Sequence, residues 1–296
     1  MNTRPTLDQL GLSMGKKARL HRILHEYGVR NGTAIFLPYD HGLEHGPRDF
    51  VGHPESGDPR HVIRLAVEGG FNGIALQIGL ARKFFWEYAG EVPLVLKLNG
   101  KTDIPSPPDP VSPVNATVEE AVRLGADAVG YTLYVGTPGQ ERDFAQYLRV
   151  REDAERFGMP LIVWSYPRGA AIDAKGGKDS FYAVDYAART ASELGADMVK
   201  VNFPQPGKQD GVPAVYRADF WPQQAIEAAV RSAGRSLLLV SGGEHAGDNA
   251  MLDKARMSME AGATGLIFGR NVFQRGHDES LRFVAQLKEI LAKHPS

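Results

Sequence analysis

Leu-Gly-Ala-Asp-Ala-Val at residues 124–129 and Leu-Gly-Ala-Asp-Met-Val at residues 194–199 are nearly identical. In each stretch a helical pattern ends at a glycine, and a short apolar run follows at once. Comparable phrases stand at 68–73 and 260–265. Because this helix-to-strand turn recurs before every second strand, it predicts a closed barrel of repeated βα units and not a doubly wound open sheet.

Short β-branched and apolar runs alternate with longer helical patterns from about residue 33 to the end. This alternation is typical of a parallel sheet whose faces are covered by helices. We therefore predict an α/β protein, a (β/α)8 TIM barrel. Its strands are expected at 33–38, 73–77, 94–98, 128–133, 161–165, 198–201, 237–241 and 265–268.

Residues 1–32 precede the first strand as a short N-terminal helical extension. We expect a helix over 16–27 that ends at Gly28, and we expect the extension to cap the bottom of the barrel. The proline-rich stretch at 105–113 is expected to be a rigid surface loop, because the strand pattern continues on both sides of it. The sequence thus predicts one domain spanning 1–296.

Composition excludes several classes of function. Among 296 residues, 34 Lys and Arg nearly balance 35 Asp and Glu, so no overall field favours nucleic acid or an anionic membrane. The absence of cysteine excludes disulfides, thiolate metal sites and a cysteine nucleophile. No run approaches the roughly 18 apolar residues of a membrane span. We expect a cytoplasmic protein without nucleic-acid or membrane partners.

Two lysines, Lys97 and Lys200, each lie in a predicted strand between aliphatic neighbours. Burying an ammonium is costly, and a lysine that avoids this cost by losing its proton becomes a nucleophile able to form an imine. The local sequence does not separate the two lysines. Either could equally be a strand-end lysine that reaches solvent or pairs with an acid.

Glycines follow the last two strands, where barrels commonly bind phosphate. Ser241, Gly242 and Gly243 come after strand seven, and Gly269 and Arg270 come after strand eight. Glycine N–H groups can approach phosphate oxygens closely, and the arginine adds charge. Simple turn glycines are the alternative interpretation.

Other polar residues follow the first and fifth strands. Arg48 and Arg168 suggest a second anionic end on the ligand, with surface ion pairs as the alternative.

His41 and His45 could share a metal only on a helix, and the glycine between them favours a loop, so we predict no metal and no other cofactor. Asp40 at a strand end can hold a lysine or a substrate hydroxyl, and the phenol of Tyr166 can relay a proton.

Six motifs spread over nearly the whole chain carry a resemblance. They are Asp-His-Gly-Leu-Glu-His-Gly-Pro at 40–47, Leu-Lys-Leu-Asn-Gly-Lys-Thr at 96–102, the run 119–132, Val-Trp-Ser-Tyr-Pro-Arg-Gly at 163–169, Ser-Gly-Gly at 241–243 and Gly-Arg-Asn-Val-Phe-Gln at 269–274. Together they resemble the archaeal-type class I fructose-bisphosphate aldolases, in the superfamily of deoxyribose-phosphate aldolase-like enzymes that work through a Schiff base.

This resemblance implies a role for each candidate residue. Lys200 forms the imine, Tyr166 handles protons, and Asp40 and Trp164 complete the catalytic set. Lys97 either contacts substrate or lowers the pKa of Lys200 by like-charge repulsion. The 1-phosphate is assigned to Ser241, Gly242, Gly243, Gly269 and Arg270, and we place His45 and Arg168 at the other phosphate.

The implied activity is the reversible cleavage of fructose 1,6-bisphosphate, so the partner is a phosphorylated sugar. We expect a homo-oligomer acting in glycolysis and gluconeogenesis. One departure stands two positions after Lys200, where Asn202 replaces the second lysine that we associate with this family. The segment 202–213 is also longer than in the short archaeal members, which leaves substrate breadth open.

Two alternatives remain. The nearer is a related imine-forming enzyme, such as a transaldolase-like heptulosonate synthase or a thiolase acting on a phosphorylated sugar. The motifs at 44–47 and 166–169 favour the bisphosphate aldolase over these. The other, from a different class, is a non-catalytic barrel that binds phosphosugars. The presence of Lys200, Tyr166 and Asp40 together disfavours it.

Overall fold

The computed structural model describes residues 4–104, 110–208, 210–217, 219–243 and 247–296. Eight parallel strands hydrogen-bond in chain order, and the last pairs with the first to close a barrel. The strands are β1 (Ala34–Tyr39), β2 (Gly73–Gln77), β3 (Leu94–Lys97), β4 (Ala128–Val135), β5 (Leu161–Pro167), β6 (Met198–Asn202), β7 (Leu237–Ser241) and β8 (Gly265–Ile267). The predicted (β/α)8 TIM barrel is confirmed, and each strand begins within one residue of its predicted start.

Helices fill the connections between the strands. They are α1 (Met14–His21), α2 (His41–Glu44), α3 (Pro59–Glu68), α4 (Ile78–Phe84), α5 (Val118–Arg123), α6 (Gln140–Arg156), α7 (Ala170–Asp173), α8 (Phe181–Glu193), α9 (Pro222–Ala233), α10 (Asp248–Glu260), α11 (Arg270–Phe273) and α12 (His277–Ala292). Short 3₁₀ turns lie at Leu7–Gln9, Gly46–Phe50, Pro54–Gly57, Phe85–Tyr88 and Ala214–Tyr216.

Alternate residues of the strands belong to two different cores. In β1, Ala34 and Phe36 face the inside of the barrel, whereas Ile35 and Leu37 pack outward against the helices. This division follows from the two-residue period of a strand. Because both faces are apolar, the strands appear in the sequence as continuous hydrophobic runs.

The N-terminal extension closes the bottom of the barrel, as predicted. Leu20, Ile23 and Leu24 join the cluster inside the barrel. Lys16 is buried, and its Nζ lies 3.0 Å from a carboxylate oxygen of Asp197, the residue before β6. The predicted single helix is in fact α1 followed by a π-helical turn at Arg22–Glu26. Assignment of the whole chain 1–296 to one domain stays a prediction.

Closure of the barrel requires a glycine at position 265. A β-carbon on Gly265 would overlap the carbonyl oxygen of Ala34 on the adjacent strand. We expect Gly265→Ala to lower the free energy of unfolding by about 3 kcal/mol, the upper end of the usual cost of overpacking. Gly79→Ala in α4 is the control, because nothing lies within 4 Å of its β-carbon. Denaturant unfolding measures both, and equal stability of the two variants would contradict this account.

Two further expectations concern the surface. Of the proline-rich loop predicted at 105–113, residues 105–109 lie outside the described residues. The part that follows packs against the residues just after β3, where Asn99 donates a hydrogen bond of 3.2 Å to the carbonyl of Ser112. Among the helices in the described ranges, none combines the length and the apolar character needed to cross a bilayer.

Candidate active site

A cavity of about 290 Å³ opens at the carboxyl-terminal mouth of the barrel. Its lining comes from the ends of β1, β5, β6, β7 and β8 and from the segments that follow them, which is where barrel enzymes place their reactive groups. The structure therefore brings most of the predicted site residues together. Those in the lining are Asp40, His45, Trp164, Tyr166, Arg168, Lys200, Ser241, Gly242, Gly243, Gly269 and Arg270.

Lys200 lies on β6 beside Trp164 of β5 and reaches the cavity, although it is only 6% exposed. Burial lowers the pKa of Lys200 to about 7; the negative charge of Asp40 opposes this shift, and the positive charge of Lys97 adds to it. The Nζ atom donates a hydrogen bond to the hydroxyl of Tyr166. A large share of this amine is therefore unprotonated, and nucleophilic, near neutral pH.

Lys97 has a different environment from Lys200. It is fully buried, its Nζ donates a hydrogen bond of 2.6 Å to Thr132, and it lies 3.3 Å from a carboxylate oxygen of Asp40. Burial alone would raise the pKa of Asp40, but the charges of Lys97, His41 and Lys200 outweigh it and lower that pKa to about 2. Lys97 does not line the described cavity. Of its two implied roles, the structure supports the lowering of the Lys200 pKa.

The indole of Trp164 lies close to both strand lysines. Its ring centroid lies 4.9 Å from Nζ of Lys97 and 5.5 Å from Nζ of Lys200. Gly130 on β4 leaves room for this arrangement, because a β-carbon there would lie 2.7 Å from the indole and 2.9 Å from the Lys97 chain. Trp164 thus provides an aromatic face to both lysine side chains.

Tyr166 is the proton-bearing group next to Lys200. Burial raises the pKa of Tyr166 well above its usual value, and the negative charges of Glu44 and Asp40 add to this effect. The guanidinium of Arg168 lies 5.0 Å from the centre of its ring and acts in the opposite direction. The phenol is therefore protonated at physiological pH and can donate its proton to a strongly basic atom.

The glycine-rich end of the cavity is formed by the segments after β7 and β8. Ser241 donates a hydrogen bond of 2.7 Å to the side-chain oxygen of Asn202. Asn202, which stands where a second lysine was expected, therefore contributes to the site through this hydrogen bond. A β-carbon on Gly269 would lie only 2.6 Å from the ring of His41. This close approach, and not only turn geometry, accounts for a glycine at 269. Gly242, Gly243 and Arg270 complete this wall.

The cavity lining also contains the residues predicted for a second anionic group. Nδ1 of His45 lies 2.6 Å from a carboxylate oxygen of Asp49, which fixes the imidazole. Arg168 donates to its neighbouring backbone carbonyl at 2.8 Å. Arg48 also lines the cavity, but it forms an exposed ion pair of 3.0 Å with Asp103. Both His45 and Arg168 line the cavity, and their role at a second phosphate stays a prediction.

The expectation of a loop at 41–45 was wrong, because His41–Glu44 forms one helical turn, α2. The backbone N–H of His45 closes this turn by donating a hydrogen bond of 2.7 Å to the carbonyl of His41. The glycine at 42 can adopt helical dihedral angles. The two imidazole rings lie 5.5 Å apart. Still, no three His, Cys, Asp or Glu side chains within the described ranges are grouped to hold a metal. The absence of a metal and of other cofactors stays a prediction.

Sequence reasoning missed several residues of the site. His41, Glu44, Asp179 and Asn271 line the cavity, and Thr132 supports Lys97 from β4. For the first two a signal was available, since both lie in the polar run directly after the first strand. Asp179 belongs to a longer segment whose course depends on tertiary packing, whereas Asn271 directly follows Arg270 in the motif at 269–274, where a signal was also available.

This fold and site define a barrel enzyme built around a buried nucleophilic lysine. The sequence matches the profile of the DeoC/LacD family aldolases over residues 34–275. The fructose-bisphosphate aldolase class 1 of Thermoproteus tenax is 43% identical over 264 residues, which are 89% of this chain and 91% of that protein. The chain belongs to the DeoC/LacD family of aldolases.

Solved structures agree with this assignment. An archaeal fructose-1,6-bisphosphate aldolase, with its catalytic lysine covalently bound to the carbinolamine intermediate of the substrate, superposes with a TM-score of 0.78. It is 40% identical, and the match covers 92% of this chain and 99% of that one. The fructose-bisphosphate aldolase of Slackia heliotrinireducens superposes with a TM-score of 0.81 at 25% identity, covering 98% of this chain and 95% of that one.

Proposed function

We propose that this protein is a class I fructose-bisphosphate aldolase, which reversibly cleaves fructose 1,6-bisphosphate to dihydroxyacetone phosphate and glyceraldehyde 3-phosphate. One observation carries the proposal: the buried amine of Lys200, whose pKa is about 7, is hydrogen-bonded to Tyr166 at the mouth of an aldolase barrel. The relatives named above as aldolases of this class support the choice of substrate.

Catalysis begins with attack of the Lys200 amine on the C2 ketone. The resulting carbinolamine loses water and becomes a protonated imine, which withdraws electrons from C3. The negative charge of Asp40, which acts on Lys200, favours this cation. The positive charge of Lys97 offsets part of the negative charge of Asp40. The Asp40 carboxylate is therefore held in place and does not keep the Lys200 amine protonated.

Cleavage follows when a base takes the proton of the C4 hydroxyl. The C3–C4 bond breaks, its electron pair moves toward the iminium nitrogen to give an enamine, and glyceraldehyde 3-phosphate leaves. Tyr166 then donates its proton to C3, and hydrolysis of the imine releases dihydroxyacetone phosphate. Read in reverse, these steps form the aldol bond.

The two phosphates orient the substrate. We assign the 1-phosphate to Ser241, Gly242, Gly243, Gly269 and Arg270, and the other phosphate to His45 and Arg168, which also line the cavity. Binding energy from these distant groups holds the ketone against the lysine, and such orientation accounts for a large part of the rate enhancement of many enzymes.

A coupled assay of fructose 1,6-bisphosphate cleavage tests the function directly, and we expect activity to survive treatment with EDTA. The iminium already provides the electron withdrawal that a Lewis-acidic metal would supply. Full loss of activity with chelator, restored by zinc, would place the protein among the metal-dependent aldolases instead. Absence of any cleavage would favour the non-catalytic phosphosugar-binding barrel.

The rate of imine formation should rise with pH and level off above about pH 7. Because the pKa of Lys200 is lowered to about 7, the protonated, unreactive form dominates below that pH and the free amine dominates above it. Cyanoborohydride trapping with dihydroxyacetone phosphate, measured from pH 5.5 to 9.5, provides the profile. An ordinary lysine, with a pKa of about 10.4, would still gain reactivity at pH 9. Such a continuing rise would contradict the assigned environment.

Product analysis separates the aldolase from the related heptulosonate synthase, transaldolase and thiolase reactions, since each forms a different carbon skeleton. Equal turnover of another donor would identify one of these alternatives. A homo-oligomeric enzyme acting in the cytoplasm, in glycolysis and gluconeogenesis, belongs to the same proposal. Light scattering of the purified protein would test the first of these properties.

A further inference from the structure

A chain of hydrogen bonds joins three side chains of the cavity lining, and the steps above give a role only to the last of them. The amide nitrogen of Asn202 donates a hydrogen bond of 2.6 Å to a carboxylate oxygen of Asp179. Ser241 donates one of 2.7 Å to the amide oxygen of Asn202. All three residues line the cavity. The chain therefore links the segment before α8 to the ends of β6 and β7.

The carboxylate of Asp179 decides the direction of these hydrogen bonds. Carboxylate oxygens only accept, so the amide nitrogen of Asn202 must be the atom that faces Asp179. The amide oxygen then faces Ser241, and because that oxygen also only accepts, the serine hydroxyl must donate to it. The hydroxyl proton of Ser241 is thus committed to Asn202, and its side chain is held in one orientation.

Asp179 is itself held in place by its surroundings. Its backbone carbonyl accepts a hydrogen bond of 2.7 Å from the N–H of Gln205, and the side chain of the next residue, Ser180, caps α8. The segments before α8 and after β6 also pack closely, since a β-carbon on Gly207 would lie 2.6 Å from the carbonyl oxygen of Gly176. The carboxylate therefore provides a fixed point for the amide of Asn202.

Ser241 is where the glycine-rich wall begins. It is only 5% exposed, and it pairs with Asn202 in the register of β7 and β6. A β-carbon on Gly242 would lie 2.7 Å from the side-chain nitrogen of Asn271, and Gly243 has a φ of +74°. This tight turn starts from Ser241, so a fixed serine also fixes the direction of the glycine N–H groups that can approach a phosphate.

We propose that Asn202, oriented by Asp179, is a positioning residue that gives the site its preference for a phosphorylated ketone, an inference that rests on the proposed function. It acts through Ser241 and takes no part in making or breaking bonds. The charges that act most strongly on Lys200 belong to other residues. The pH profile of imine formation should therefore be the same with and without Asn202.

Cyanoborohydride trapping of two ketones tests the proposal. The ratio of trapping rates for dihydroxyacetone phosphate and dihydroxyacetone, which lacks the phosphate, measures the phosphate preference. Asn202→Leu keeps the size of the side chain and removes both hydrogen bonds. We expect it to lower this ratio roughly 10-fold, the scale of one lost hydrogen bond. Trapping of dihydroxyacetone should stay within a few-fold of wild type, which also shows that the variant is folded.

A second substitution and a double variant show whether the effect passes along the chain. Asp179→Asn should also lower the ratio, because an amide donates as well as accepts and no longer dictates the orientation of Asn202. Ser241→Ala removes the residue through which Asn202 acts. Adding Asn202→Leu to Ser241→Ala should therefore cause little further loss, since residues that act together are not additive.

Asn115→Leu is the matched control, because its amide donates a hydrogen bond of 3.0 Å to Gln77 and it lies outside the cavity lining. It should leave the ratio unchanged. A wild-type ratio in Asn202→Leu or Asp179→Asn would overturn the proposal. So would an equal loss with both ketones, which would place the effect on Lys200 or on the fold, and so would additive losses in the double variant. A wild-type protein that traps neither ketone would instead refute the proposed function.

Discussion

Borohydride added together with dihydroxyacetone phosphate should inactivate the protein irreversibly and place one adduct on Lys200. The amine of Lys200 can attack a ketone near neutral pH, because its pKa is lowered to about 7, and it alone of the two strand lysines lines the cavity. Trypsin does not cut after a reduced secondary amine. The adduct should therefore appear on the peptide 190–208, which is normally cut after Lys200.

Lys97 is the internal control in the same experiment. It has the same kind of aliphatic neighbours in sequence, but it is fully buried and bonded to Thr132 and Asp40. In Lys200→Met the adduct should be absent, and cleavage should fall by about 10⁴-fold or more, as expected when a covalent nucleophile is removed. An adduct on Lys97 would transfer the chemistry to that residue, and no adduct on either lysine would rule out the imine mechanism.

Replacing Tyr166 by phenylalanine should lower turnover by roughly 10²- to 10⁴-fold while leaving imine formation intact. The phenol donates the proton that converts the enamine to product, and Phe fills the same space without that proton. The enamine should accumulate, because Lys200 and the phosphate-binding groups are unchanged. Borohydride reduction in the presence of dihydroxyacetone phosphate would measure imine formation, and steady-state assays would measure turnover.

Tyr134→Phe provides the control for this substitution. Tyr134 is the β4 partner of Tyr166 in the barrel, is more deeply buried than Tyr166, and does not belong to the described cavity lining. A merely structural effect of removing a buried phenol would appear in both variants. A wild-type rate in Tyr166→Phe, or an equal loss in the two, would remove Tyr166 from the proton-transfer steps.

The barrel could be predicted because its determinants are local. Each αβ turn carries its own glycine, as at Gly125 and Gly195, whose φ values are +70° and +92°. The apolar runs that follow need no knowledge of distant partners to be recognised as strands. Strand ends were less certain: β4 continues two residues past the predicted end, to Val135, because it pairs with β5 along that whole length.

The local sequence could not distinguish the two strand lysines from each other, because the residues that give them different environments lie far away in the chain. Lys97 meets Thr132 across the sheet and Asp40 from β1, while Lys200 meets the phenol of Tyr166. The place of Glu44 in the cavity lining was missed for a related reason. The glycine at 42 indicated a loop, and only the closed turn of α2 shows that this carboxylate reaches the cavity.

The contact between Lys16 and Asp197 has a consequence for engineering. Asp197 stands directly before β6, and Lys200 lies three residues further along the same chain, about 10 Å at the usual rise of a strand. The anchor that fixes the lower rim and the nucleophile at the upper rim are thus joined by one short rigid segment. Libraries that vary only the upper loops can therefore search for new aldehyde acceptors while this segment keeps the Lys200 amine in position.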